Sequence, residues 1–220
     1  MFGAFELVNQ GAFAEYGVID ENFISHKPEN LTFIEAASVP LAGLTAWQGL
    51  FEILELQPGQ KILIQAAAGG VGVFATQLAK LRGAHVVAIG SEKNFSFLHE
   101  LGADEVIDYH KGYAELSNDY DAIFDSMETS ALLIPHLKKG GRYLSITEAA
   151  SQELAQQYEI KAFNFLYQPN TAQLNQVKEL IEKNKLKVFV DKVLPLADAA
   201  EILKYQMEGH SKGKNVLEVF

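Results

Sequence analysis

From Lys61 to Phe165 the chain alternates short apolar runs with amphipathic stretches of helical period. The runs "KILIQ" (61–65), "HVVAIG" (85–90), "EVIDY" (105–109), "YDAIFD" (120–125), "GRYLSI" (141–146) and "IKAFNF" (160–165) predict strands. The stretches 70–82, 94–101, 129–138 and 151–157 predict the helices between them. Apolar runs of this kind, without in-out alternation, belong to strands buried on both faces, as in a parallel sheet sandwiched by helices. Six of them joined by right-handed crossovers predict an α/β doubly wound parallel sheet.

The flanks read differently. Residues 1–40 hold short β-like pieces such as "GAFAEYGVI", and a short helix should begin near Phe33, capped by Asn30 or Thr32 and ended by Pro40. After Pro169 the pattern predicts helix 171–184, strand "KVFVDKVLP", helix 197–207 and a last strand 215–220. Charges interrupt both of these strands, which points to a separate, less buried sheet. No repeat or low-complexity segment is visible. The expected organisation is therefore a central domain over 41–185 and a second, smaller one from 1–40 and 186–220.

The segment "IQAAAGGVGVFATQLAK" (64–80) passes from the first strand through three glycines into a helix. Laid on the dinucleotide fingerprint G-x-G-x-x-G it puts Ala67, Gly69 and Gly72 in the three glycine places. Gly69 and Gly70 let the backbone approach a pyrophosphate. The helix start beyond Val71 offers free N–H groups and a positive dipole end, and Gly72 lets the helix pack close to the strand. The end of the second strand distinguishes the dinucleotides, because an NAD site carries an acid there for the ribose 2′-hydroxyl. Here the strand closes on Gly90, and Ser91 and Lys93 can hydrogen-bond and pair with a 2′-phosphate. The pattern favours NADPH; Glu92, twenty residues after Gly72, remains the NAD alternative should the strand run further.

Composition narrows the chemistry. The net charge of −10 and the lack of a basic run argue against a nucleic-acid partner. No cysteine occurs, which excludes disulfides and cysteine-ligated zinc, and the six histidines (26, 85, 99, 110, 136, 210) form no metal-binding spacing, so no metal is expected. No stretch has the length of a membrane span, and the start lacks a secretory pattern; a cytoplasmic location is expected. Asp125 ends a strand, where it can cap the following turn.

The segments "EAASVPLAGLTAWQGL", "GQKILIQAAAGGVGVFATQLAK", "LGADEVIDY", "KGGRYLSI" and "PLADAAEILKYQMEGHSKGKNVLEV" together resemble the zinc-independent quinone oxidoreductase branch of the medium-chain dehydrogenase/reductase superfamily. The resemblance runs from about Gly11 to the end. It implies a Rossmann domain beside a GroES-like catalytic domain, NADPH in the cleft between them, and hydride transfer to a small quinone, enone or similar activated double bond. Carried over by position, it implies Thr45 near the nicotinamide and Gly69, Gly70 and Val71 on the pyrophosphate. Ser91 and Lys93 would take the 2′-phosphate, with Tyr109 at the adenosine end. Ser126 and Ser145, Ile146 and Thr147 would border the nicotinamide ribose, and Phe163 to Phe165 would line its pocket.

Two departures qualify that picture. "FDSMETSA" has no glycine where relatives commonly carry a Gly-Gly pair, and only the last part of a GroES-like domain is recognisable, in about residues 1–40. The expectation is a NADPH-dependent, zinc-independent oxidoreductase; the alternative is an NADPH-binding module without turnover. An incomplete β domain would expose apolar residues such as Phe5, Leu7, Phe13 and Val18 and leave strand edges open, and relatives commonly pair, so a homodimer is expected.

Overall fold

The computed structural model describes residues 1–6, 11–113, 116–209 and 211–219. In chain order the strands are β1 (Phe2–Gly3), β2 (Ile24–Ser25), β3 (Lys61–Ile64), β4 (His85–Gly90), β5 (Glu105–Asp108), β6 (Tyr120–Asp125), β7 (Leu137–Ser145), β8 (Lys161–Asn164), β9 (Val190–Pro195) and β10 (Lys214–Glu218). The helices are α1 (Phe33–Ala37), α2 (Pro40–Gln48), α3 (Gly72–Leu81), α4 (Phe95–Glu100), α5 (Ser130–Leu133), α6 (Gln152–Gln157), α7 (Thr171–Glu182) and α8 (Ala199–Met207). Two compact units result, Ala46–Leu166 and Met1–Thr45 with Tyr167–Phe220. Among the described residues no helix is long and apolar enough to cross a membrane.

The unit Ala46–Leu166 is built on a six-stranded, wholly parallel sheet of order β5-β4-β3-β6-β7-β8. The order reverses between β3 and β6, and such a switch point opens a crevice at the carboxyl ends of the strands. Leu63, Val87, Ile89, Ile123 and Tyr143 belong to one core cluster, while the alternate residues Ile62, Ile64, Phe124 and Leu144 are just as buried. Both faces are therefore covered, the reason the runs carry no polar alternation. Every residue of α3 from Gly72 to Ala79 is buried, so this helix lies deep against the sheet.

In the other unit α7 is amphipathic, burying Leu174, Val177 and Ile181. Asn175 accepts from Ser25 Oγ, Ile181 O accepts from Asn30 Nδ2, and Phe5 O accepts from the Tyr167 hydroxyl. The first two fasten β2 and the segment after it to α7, and the third ties Phe5 to the chain just before that helix. β9 and β10 pair in parallel as a sheet of their own, and β1 and β2 form a short antiparallel pair.

Four expectations need correction. No strand forms within 11–19: Phe13, Tyr16 and Ile19 stand three apart, whereas a half-buried strand repeats every two. Phe13 and Val18 are 57% and 87% exposed, as expected of them, whereas Phe5 is half-buried and Leu7 lies outside the described residues. Thr32 rather than Asn30 caps α1, which ends at Ala37, and Pro40 opens α2, where its missing N–H needs no acceptor. The helix expected over 129–138 stops at Leu133, because Pro135 enters a tighter 3₁₀ turn (134–136). β7 then begins at Leu137, four residues early, with a register shift opposite Tyr120–Ala122.

Candidate functional site

All but one of the sequence-derived site residues belong to the unit Ala46–Leu166, on or next to the carboxyl ends of its strands. The turn after β3 is pinned on both sides. Gln65 N donates to Phe124 O at the end of β6 (2.9 Å) and Ala67 N to Ile89 O at the end of β4 (3.1 Å). Between them Ala66 has φ +53°, a left-handed conformation that is strained for alanine. Gly69 N closes onto Ala66 O (2.9 Å), and Val73 N and Ala75 N begin the helical ladder onto Gly69 O and Val71 O. The N–H groups of Gly70, Val71 and Gly72 therefore precede the first helical bonds and have no carbonyl behind them in the helix. At Gly72 a Cβ would lie 2.3 Å from Ala66 O and 2.6 Å from Ala67 Cα, so no side chain fits. At Gly69 a Cβ would meet only Ala66 O, at 3.2 Å. Ala67, in the first glycine place, turns its methyl into the core.

At the end of β4 a Cβ on Gly90 would come within 2.7 Å of Leu98 Cδ1, and Leu98 is fully buried. A side chain at that place, an acid included, would require the Leu98 side chain to shift. Ser91 is buried, and the 3₁₀ turn Glu92–Asn94 carries Glu92 and Lys93 exposed. Asn94 is buried, and its Oδ1 has no partner. Tyr109 opens another 3₁₀ turn after β5, 40% exposed and stacked on His110 with ring centroids 4.1 Å apart.

Across the switch point Asp125 ends β6 with no exposure at all. Its carboxylate accepts from Met127 N (2.7 Å), Thr129 N (2.8 Å), Thr129 Oγ1 (2.9 Å) and the Tyr143 hydroxyl (2.5 Å). Burial, and next the Asp125 carboxylate, raise the Tyr143 phenol far above its ordinary range, so it stays a donor. This strap shapes the loop that carries Ser126, whose Oγ is buried without a partner. Glu128 takes φ +43° in the stretch that has no glycine.

Ser145 Oγ accepts from Thr147 N (3.3 Å) and Glu148 N (3.1 Å), and Thr147 Oγ1 accepts from Glu128 N (3.3 Å). Ile146 N donates to Asp125 O (3.1 Å) and Phe165 N to Ser145 O (3.1 Å). The loops after β6, β7 and β8 are thus laced together. Phe163 stands slightly apart: the Arg142 guanidinium lies 5.4 Å over its ring and pairs with Glu55 at 2.6 Å. Thr45 is the exception to the grouping. It lies in α2, buried, in the unit Met1–Thr45 with Tyr167–Phe220, and its hydroxyl donates to Leu41 O (2.7 Å).

A dinucleotide fits the described residues in two ways. The glycine turn leaves the N–H groups of Gly70, Val71 and Gly72 ahead of the helical ladder, available to an anion. Two buried oxygens, Asn94 Oδ1 and Ser126 Oγ, lack partners on the loops after β4 and β6, the strands that flank β3. Sequence reasoning passed over Gln65, Asn94 and Tyr143, since none lies in a fingerprint place. The signal for Asn94 was a polar residue followed by the apolar Phe95, Phe97 and Leu98 at a helix start.

A family model described as zinc-binding dehydrogenase matches residues 101–217. The chain is 34% identical to quinone-oxidoreductase QR1, chloroplastic, of Triphysaria versicolor, over 99% of its own length and 71% of the relative's. It is likewise 34% identical to the chloroplastic NADPH-dependent alkenal/one oxidoreductase of Arabidopsis thaliana, covering 94% of itself and 53% of that protein. The solved quinone oxidoreductase from Coxiella burnetii superposes with a TM-score of 0.86 at 35% identity, over 91% of this chain and 65% of the other. The chain thus spans between about half and seven tenths of the length of these proteins. With more than half of it under one family model and a quinone oxidoreductase matched along nearly all of it, the chain belongs to the medium-chain dehydrogenase/reductase superfamily, among the zinc-binding dehydrogenases and their quinone oxidoreductase relatives.

Proposed function

We propose that the protein is an NADPH-dependent oxidoreductase that reduces a small quinone or enone without zinc. The observation that carries the reading is the glycine turn at the switch point of the parallel sheet, with Gly72 closed to any side chain and the N–H groups of Gly70 to Gly72 ahead of the helical ladder. A pyrophosphate is the ligand such a turn accepts. NADPH is preferred to NADH because Gly90, packed against Leu98, stands in the acid's place, while Ser91 and the exposed Lys93 follow it. The Triphysaria and Coxiella quinone oxidoreductases and the Arabidopsis alkenal/one oxidoreductase suggest the acceptor class. Zinc independence rests on the absence of cysteine from this sequence, since zinc ligation in the superfamily draws on cysteine.

When bound, NADPH supplies the hydride. The chain's own residues would hold the pyrophosphate on the turn, take the 2′-phosphate on Ser91 and Lys93, and meet the nicotinamide half with Ser126 and the Ser145–Thr147 loop. We assign Ala46–Leu166, narrower than the 41–185 expected from sequence, as the cofactor-binding domain and the remaining residues as part of a catalytic β domain. An NADPH-binding titration run beside an NADPH-oxidation assay with a simple 1,4-quinone tests the reading. Saturable binding with quinone-dependent oxidation supports it, binding with no turnover leaves a cofactor-binding module, and no binding ends it.

A further inference from the structure

Resting on the dinucleotide reading above, we propose that Gln65, held by Tyr113, is the positioning residue that keeps the pyrophosphate turn in its binding shape. The turn depends on one alanine in a conformation suited to glycine: Ala66 at φ +53°. The main chain on either side is secured, Gln65 N by β6 and Ala67 N by β4, and Ala66 O takes Gly69 N. What remains is the N–H of Ala66 itself. The Gln65 side chain folds over its own peptide and accepts that N–H on Oε1 at 3.3 Å.

Gln65 is only 4% exposed, so its amide needs a protein partner to stay in that orientation. Its Nε2 donates to the Tyr113 hydroxyl at 2.9 Å. Tyr113 follows β5 and packs against the core cluster that contains Leu63, Ile89 and Ile123. Burial raises its phenol above the ordinary value, so the oxygen stays neutral and the hydrogen bond persists through the physiological range. The connection after β5, which carries Tyr109 on its adenosine side, is in this way coupled to the backbone that would meet the pyrophosphate. Gln65 touches no ligand atom in this account; it acts through the peptide of Ala66.

The test uses the full chain with Gln65→Leu, which keeps the volume but loses the acceptor, and Tyr113→Phe, which keeps the packing but loses the partner. In both, NADPH affinity should fall about tenfold or more, while 2′-phosphoadenosine, which has no pyrophosphate, should bind as to the unmutated chain. Adding Ala66→Gly to Gln65→Leu should recover most of the lost NADPH affinity, because glycine holds the left-handed conformation unaided; a general packing defect would not be rescued in this way. Amide exchange at Ala66 should accelerate at least tenfold in both single variants. If Ala66 exchange is unchanged in both, the proposal is overturned whether or not the protein binds NADPH. Should exchange accelerate while the unmutated chain binds no dinucleotide, the positioning role stands and the cofactor reading falls.

Discussion

At the scale of single residues, two glycines with the same apparent motif role separate. Gly72 is a packing position, since any Cβ collides with Ala66 O and Ala67 Cα; Gly69 has nearly enough room for one. Gly72→Ala should therefore destabilise the fold by about 1–3 kcal/mol through overpacking, measurable by urea unfolding. Gly69→Val should leave the unfolding midpoint almost unchanged and abolish NADPH binding in a fluorescence titration, because its side chain occupies pyrophosphate space. Lys93 is exposed and without an ion pair among the described residues. NADPH should bind at least tenfold more tightly than NADH, and Lys93→Ala should remove most of the difference; equal affinities in the unmutated protein would point to Glu92 and NAD. Tyr143→Phe takes one of four donors from the buried Asp125 carboxylate. A hydrogen bond to a charged group is worth about 1.5–3 kcal/mol, so stability should fall by that order, with NADPH affinity reduced as the Ser126 loop loosens. The glycine places were readable because motif spacing is local. Gln65 and Tyr143 were not: their partners, Tyr113 and Asp125, lie 48 and 18 residues away in the chain.

Among the elements, local signals succeeded where the determinant sits inside the element and failed where a neighbour overrules it. α1 is the first case. Thr32 and Glu35 form a reciprocal capping box, and the Thr32 N–H and hydroxyl hold the Glu35 carboxyl below its ordinary value of 4.5. A lowered folded-state value means that the ionised form favours folding: the contribution is present above 4.5 and disappears as pH falls through the folded value. Thr32→Ala should lower stability by about 1 kcal/mol at neutral pH, and the gap between the two proteins in thermal melts should narrow on acidification below about pH 4.5. The stretch 129–138 is the second case. Its apolar residues suit a helix, yet Pro135 tightens the chain and the opportunity to extend β7 beside Tyr120 draws Leu137 into the sheet. Strand pairing is a contact across sequence distance, so periodicity alone cannot locate where such a strand begins.

For the molecule as a whole, Phe13, Tyr16 and Val18 stand 57%, 85% and 87% exposed on a segment with no strand, and the sheets of β1–β2 and β9–β10 have two strands each. Apolar surface and open strand edges of this kind favour association. Sedimentation should find a dimer or larger species, with residues 11–19 exchanging amide hydrogens faster than β3 and β4; a monomer as protected there as in the central sheet would contradict this. The succession of buried runs and amphipathic stretches was enough to determine the doubly wound parallel sheet, because burial on both faces and crossover handedness leave one economical arrangement. It also determined the glycine turn, since that depends on residues adjacent in the chain. Only the tertiary structure decided how the turn is held, by Phe124 O, Ile89 O and the Tyr113 hydroxyl, and that the Tyr143 hydroxyl joins the Asp125 carboxylate. Each of those depends on which distant side chain arrives at a given strand end, and that is set by the order of strands in the sheet, a property that no local window of the sequence contains.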